Sequence, residues 1–334
     1  MISEEIITIF YSMDLITQGL LGAVVGQAGF KKTLGRKAIA YGAIIGMVPD
    51  ADVFFKLFSA DICAEMLYHR GFTHSLFFAP LLAPLAGWLC NYFYKHQQQT
   101  SWIGLWFWGL ITHPLLDIFT VYGTQLLAPF STHRFSFSAV PILDPFYSLP
   151  LLLSIITGWF LKKRVTLSRI LASGVLLVTT MYLFLGVTVH DQTLKFVREH
   201  EKKPLVRMEA FTTMFSIFYR RVVIEEPHQF RVGYINMLRL TPIKWHELSK
   251  ANVASRIQLI REIKIFYWFA DDWVLPMHEG ETLTFYDLRF GISEDCLKGY
   301  WGMSMAQDEK VYWEYFPLAI SFTKVRDFWG LIFK

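Results

Sequence analysis

The sequence predicts a membrane α-helical bundle of about six segments, some short or kinked, followed by a small α+β domain outside the membrane. Three observations carry that expectation. At 334 residues, with 53% hydrophobic residues and a positive mean hydropathy, the chain is more apolar than an average soluble protein. Its charges are unevenly spread, since residues 1–190 hold 21 of the 60 Asp, Glu, Lys and Arg and residues 191–334 hold the other 39. From about residue 190 the long apolar runs give way to β-branched and aromatic stretches with polar breaks. The expected domains are therefore 1–190, helical and transmembrane, and 191–334, extramembrane and α+β.

Residues 1–13 are mildly acidic and lack the basic start and small-residue cleavage site of a secretory signal, and Met13 is an alternative start to Met1. Residues 14–30 and 38–48 are apolar and rich in Gly and Ala, which lets two helices approach closely as a tight hairpin. Clearer spans follow at 75–94, 102–121, 142–161 and 169–189, with prolines at 80, 84, 114, 145 and 150 predicting kinks or offset starts. Residues 190–203 read as a charged helix leading out of the last span. Strands are expected at 205–217, 219–226, 229–239, 282–292 and 310–320, and a helix at 246–270, making one sheet with a helix.

Lys31, Lys32, Arg36, Lys37, Lys95, Lys162, Lys163, Arg164 and Arg169 fall in the odd connections between spans, whereas 49–74 and 122–141 carry only Lys56, Arg70 and Arg134. By the positive-inside rule the odd connections are cytoplasmic. Both termini, the 49–74 connection and the C-terminal domain then face outward from a bacterial inner membrane. The formal charge of +4, without a basic patch interleaved with aromatics, excludes nucleic acid as a partner. Three cysteines make neither a disulfide framework nor a CxxC pair, which leaves a Cys63–Cys296 bridge as the one pairing to check.

The chemistry concentrates in a few polar residues set among apolar runs, where an ionised group is costly. His69-Arg70-Gly71-Phe72-Thr73-His74-Ser75 follows Pro49-Asp50-Ala51-Asp52. Neutral imidazole and carboxylate oxygen are the usual protein ligands of zinc and similar ions. His113 and Asp117 lie four apart in a helical run, hence on one face, and such a pair holds a metal or, alternatively, bonds only to itself. Of Asp50 and Asp52, one is expected to bind metal while the other orients a ligand histidine or acts as base. Thr73 or Ser75 is a candidate helix cap. Arg70 and Arg134 are candidates to clamp an anionic group, with headgroup contact the alternative for Arg134. In the expected topology Asp14, Gln18, Asp50, Asp52, His69, His74, His113, Asp117 and Asp144 all converge on the outer boundary, which disfavours a transporter.

At these residues the chain resembles the bacterial inner-membrane metal-dependent hydrolases (YdjM-like), also labelled LexA-binding, membrane-associated hydrolases, in a longer form with a C-terminal soluble domain. PDAD (49–52), HRGFTHS (69–75), HPLLDIFTVYGTQ (113–125), APFS (128–131) and ILDPF (142–146) carry the resemblance. It implies a metal-dependent hydrolase, and the His-x3-Asp element is similar to that of zinc-dependent phospholipases C. The family's early histidine, in a Gly-Thr-His turn, is replaced here by Gln18, after Ile16-Thr17. The expected ligands are Asp50, His69, His74, His113 and Asp117, holding one or two divalent ions, zinc favoured. Asp52 or Asp144 would serve as base or supporting partner, and Arg70 would neutralise phosphate. The expected partners are membrane lipids and a lipid or lipid-linked phosphoester substrate, with any protein partner unknown. The competing reading is a membrane scaffold or sensor with a vestigial or structural metal site.

Overall fold

The computed structural model describes residues 2–94, 98–161, 163–291, 297–315 and 330, with backbone alone at 2–14, 56–57 and 315. Helix α1 (Ile2–Gly29) packs along α3 (Lys37–Met47), with the short α2 (Lys31–Leu34) between them. Small residues decide how close they come. A Cβ on Gly22 would stand 2.2 Å from the Gly42 carbonyl oxygen, and one on Gly46 would stand 2.5 Å from that of Gln18. The two backbones therefore touch, as the Gly/Ala pattern of 14–30 and 38–48 predicts. This contact brings the Gly46 carbonyl and Gln18 to one level.

After α3 the chain bends by 42° into a 3-10 turn, Pro49–Phe58, and then passes through α4 (Ala64–Tyr68) and a second 3-10 turn, Phe72–His74, into α5 (Phe78–Phe93). Helix α6 (Gln99–Asp117) runs beside α5, where Gly87 meets the Ile103 backbone, and buries Trp102, Leu105, Leu110, His113 and Asp117. Helices α7 (Pro145–Phe160) and α8 (Val165–His200) complete the helical region. The expected cap at Thr73 or Ser75 does not form: α5 begins after Phe77 without a side-chain cap, and Thr73 turns to Asp52 instead. Among the described residues, α8 is long and apolar enough to cross a membrane. The bent pairs Lys37–Met47 with Pro49–Phe55, and Ala64–His74 with Phe78–Phe93, qualify if each is one broken span. Leu15–Gly29 and Pro145–Phe160 are shorter apolar helices. The polar motif residues fall at the bends, because 3-10 turns there free side chains to converge.

Helix α8 continues without a break through His190 to His200, where the chain enters the sheets. Among the described residues there are two four-stranded antiparallel sheets, not the single sheet expected. The first is β1 (Arg207–Thr212), β2 (Tyr219–Glu225), β3 (Gln229–Asn236) and β4 (His246–Ser249), in that order, with Arg207 opposite Glu225 and Tyr219 opposite Asn236. The second is β5 (Val274–Glu279), β6 (Thr282–Asp287), β7 (Trp301–Met305) and β8 (Val311–Tyr315). The helix expected over 246–270 is confined to α9 (Ser255–Gln258) and α10 (Arg261–Phe269), since 246–249 pairs with β3. Residues 316–320 of the last expected strand lie outside the described residues. Cys63 is a buried free thiol, and Cys296 lies outside the described residues.

The sheets pack onto the connections of the helical region. Cys63, Met66, Val121 and Tyr122 belong to one apolar core with Phe269, Phe285, Leu288 and Trp301. Arg220 is fully buried and donates to the carbonyl oxygens of Ser138, Ala139 and Gly186 from the helical region and of Ala210 and Ile217 from its own.

Candidate metal centre

Three donor atoms, from Asp50, His74 and His113, meet within 4.8 Å of one another where the first bend, the second 3-10 turn and the end of α6 come together, and Asp117 lies beside the two histidines. Asp50 Oδ1 lies 3.2 Å from His74 Nε2 and 3.3 Å from His113 Nε2, and the two imidazole nitrogens are 3.0 Å apart. Asp117 Oδ2 lies 3.4 Å from His74 Nε2 and 3.6 Å from His113 Nε2. Ligand bonds of about 2.0–2.1 Å at tetrahedral angles separate neighbouring donors by about 3.3 Å. The three separations among Asp50, His74 and His113, 3.0–3.3 Å, lie near that edge length.

The neighbours of the Nδ1 atoms bear on the same centre. His113 Nδ1 donates to the Gly46 carbonyl at 2.6 Å, and His74 Nδ1 faces Thr73 Oγ1 at 3.0 Å and Asp52 Oδ2 at 3.2 Å. With the proton assigned to Nδ1 by those acceptors, each Nε2 turns a lone pair toward the carboxylates. Asp117 Oδ2 is buried and accepts no hydrogen bond. Buried imidazole and carboxylate donors converging in this way could hold a metal ion. Asp50 has the most exposed side chain of the four, at 10%, against 0–1% for the others.

The supporting residues are positioned as closely as the donors. Asp52 stands between the two histidines of the motif, with Oδ1 2.8 Å from His69 Nδ1 and Oδ2 toward His74, and it accepts from the Thr73 hydroxyl and the Arg70 amide. Gln18 donates to Asp117 Oδ1 at 2.7 Å and to the His113 carbonyl at 3.2 Å, so that Asp117 offers its other oxygen to the centre. Where the resemblance leads one to expect a histidine, this chain has an amide that holds a ligand. The side chain of Asp14 lies outside the described residues.

Several expected site residues take other places. His69 is not brought to the donor set: its ring stands edge-on to His74 at 5.8 Å and to Tyr122 at 5.4 Å, and it braces Asp52. The reason is local. Arg70 adopts φ +59, in the left-handed region, and this reversal sends the two histidines of the motif to opposite oxygens of Asp52. Such a conformation costs about 1–3 kcal/mol in a non-glycine residue and persists only where its surroundings fix it. Here the Arg70 carbonyl accepts from the Gln125 amide, and its guanidinium donates to Thr120 and lies 3.4 Å from Asp117 Oδ2. Arg70 is thus a buried brace on a ligand rather than an open anion clamp.

Asp144, expected as base or supporting partner, caps α7 through the Phe146 amide and accepts from the Tyr182 hydroxyl, so both its oxygens are engaged away from the donor set. Arg134 packs over the rings of Tyr122, Trp268 and Phe269 and donates to the Gly123 carbonyl. Sequence reasoning missed the Gly46 carbonyl, which carries no side-chain signal beyond the small-residue pattern. It also missed the brace formed by Thr120.

A family model described as YdjM inner membrane protein matches residues 13–192, more than half of the chain. The chain belongs to that family. The matched region contains every donor and brace described above. Inner membrane protein YbcI of Escherichia coli (strain K12) is 32% identical over 126 residues, covering 36% of this chain and 70% of that protein. A Bacillus subtilis (strain 168) relative, named "Uncharacterized protein YfhP", is 31% identical over 148 residues, 40% of this chain and 42% of its own length. The chain thus spans less than half of that relative. No solved structure matches.

Proposed function

We propose that the protein is a membrane-embedded metal-dependent hydrolase acting on a lipid or lipid-linked phosphoester, with Asp50, His74, His113 and Asp117 holding a divalent ion, zinc favoured. The observation that carries this reading is the convergence of buried Asp50, His74 and His113 donors, with Asp117 beside the two histidines, within an inner-membrane family. When bound, such an ion polarises a phosphoryl oxygen and makes water nucleophilic at neutral pH.

The chain's own residues supply the rest. Asp52 and the Gly46 carbonyl hold the Nδ1 protons of His74 and His113, which keeps both Nε2 lone pairs directed inward. Gln18 and Arg70 fix the two oxygens of Asp117. Asp50, with the most exposed side chain, is the side from which a substrate reaches the centre and the group best placed to accept a proton from an incoming water. Asp50, His74 and His113 have the shortest mutual distances, 3.0–3.3 Å. Asp117, shared with Arg70, is the donor able to yield a coordination position.

One feature favours a second reading. Four protein donors make a closed shell, which is how structural zinc sites are built. In that reading the protein is a non-catalytic scaffold or sensor on the outer face. Metal content and release of phosphate or headgroup from membrane phospholipid, compared between wild type, His74→Ala and His113→Ala, separate the two. A hydrolase binds metal and loses turnover with it. A protein that binds metal, unfolds on chelation and hydrolyses nothing is the scaffold. Wild type without metal, or variants as active as wild type, defeats the hydrolase.

A further inference from the structure

The donor set sits at a level where the outer surface of the helices is apolar. Leu115 lies between His113 and Asp117 on α6 and is 40% exposed. Ile16 on α1, two residues before Gln18, is 56% exposed, and Ile44 on α3, two residues before Gly46, is 58% exposed. Three separate helices therefore turn large apolar side chains outward within about half a turn of groups built into the centre. The ligand-bearing turn does so more strongly. Phe54, Phe55 and Phe58, just beyond Asp50 and Asp52, are 60%, 57% and 87% exposed.

Helix α8 is apolar on its outer face as well. Its Tyr182 bonds Asp144, and its outward face is still apolar at Phe184, 60% exposed, immediately before Gly186 is gripped by Arg220 beneath the sheets. An apolar outer surface thus extends up to the floor of the sheet region. Pro49–Phe55 continues the apolar helix α3 as one candidate broken span, and three exposed phenyl rings on such a segment fit contact with lipid better than with water.

We propose that the Pro49–Phe58 turn, expected from the sequence to be an outward aqueous loop, lies within the lipid with Phe54, Phe55 and Phe58 among the acyl chains. A bilayer amphiphile then reaches the centre sideways, its headgroup passing Asp50 while its chains stay in the membrane. The lipid contact stands on the exposed rings alone. The delivery of a substrate by that route rests on the hydrolase reading above.

The test places the photoreactive residue p-benzoylphenylalanine at position 55 or 58 of the full chain in bacterial lipid membranes and reads the adducts by mass after illumination. Position 184 on α8 is the lipid-facing control, and position 312, a half-exposed tyrosine of β8, is the water-facing one. The expected result is lipid adducts at 55, 58 and 184 and none at 312. Adducts at 184 with none at 55 or 58 overturn the proposal. In the Phe54→Ser/Phe55→Ser variant, metal content is unchanged, while turnover of vesicle-borne diacyl phospholipid falls about ten-fold relative to that of a short-chain soluble analogue. An unchanged ratio overturns lateral access. Lipid adducts on a protein that splits no phosphoester uphold the lipid contact and remove the hydrolase. Turnover without adducts does the reverse.

Discussion

Two of the places where the described residues bury charge are satisfied in opposite ways. Around Arg220, five backbone carbonyls surround one guanidinium, so every donor has an acceptor and nothing is left over. Around His74 and His113, two imidazole nitrogens and two carboxylate oxygens converge, and Asp117 Oδ2 takes no hydrogen bond, with the Arg70 guanidinium 3.4 Å away. A complete set of partners is architecture, because a buried polar group without one costs free energy. An incomplete set of like character indicates where an additional cation belongs. Arg220 ties the sheets to the loop 138–139 and to α8, whereas the donor cluster offers a place for a ligand.

The largest expected effect comes from the complete centre. Arg220→Met leaves several buried carbonyls unpaired, at about 1–3 kcal/mol each. It should lower the unfolding midpoint substantially in both the presence and the absence of metal. A deficit that added metal repairs would erase the distinction between the two centres. The next effect belongs to the incomplete one. Stripping the protein with a chelator should remove about 4 kcal/mol of stability if the ion is present at a thousand times its dissociation constant, and restoring zinc should recover it. In His74→Ala and His113→Ala the same treatment should change nothing.

A smaller loss should follow from the supporting shell. Asp52→Asn keeps all four donors but weakens the orientation of His74, so metal affinity should fall about 10–100-fold with the fold intact. Titration with zinc under competition from a chelator measures it, and His69→Ala should lie in the same direction, since His69 Nδ1 bonds Asp52. A total loss of metal in His69→Ala would make it a ligand after all and collapse the present assignment of roles.

The smallest effect is at the surface contact between the sheets and the helical region. Arg261 forks onto Asp61, at 2.6 and 3.1 Å, and the guanidinium holds that carboxyl below its ordinary value. A carboxyl with a depressed folded-state pKa contributes stability above the unfolded value of about 3.9 and loses it as pH falls through the folded value. The difference in midpoint between wild type and Arg261→Ala should therefore be small at neutral pH and vanish in acid. A difference that grew in acid would assign the contact another origin.

Much of the centre was legible in the sequence because carboxylates and imidazoles inside apolar runs need a reason to be there. His113 and Asp117 share a face by helical spacing alone. What spacing could not show was the division of labour between His69 and His74, which depends on the left-handed turn at Arg70. Nor could it show that Asp144 would bond to Tyr182, a residue 38 positions away. In the C-terminal half, β2 and β3 announce themselves by their apolar and β-branched content. Strand β4, His-Glu-Leu-Ser, is polar and short, and it exists only because β3 offers it an edge. Strand β5 contains Pro276 and β7 contains Gly302, each unfavourable to a strand read locally and each overridden by its neighbours in the sheet. The second sheet was lost with them. The helical boundaries moved for a related reason, since the motif residues interrupt the apolar runs at bends.

The most direct measurement is the metal content of the purified full-length chain, determined by elemental analysis alongside Asp50→Asn and His113→Ala. A converging donor set predicts one divalent ion per chain in the wild type and a loss of that ion in both variants, with folding retained when zinc is absent from all three. A wild-type chain that carries no metal and takes up none from added zinc would contradict it.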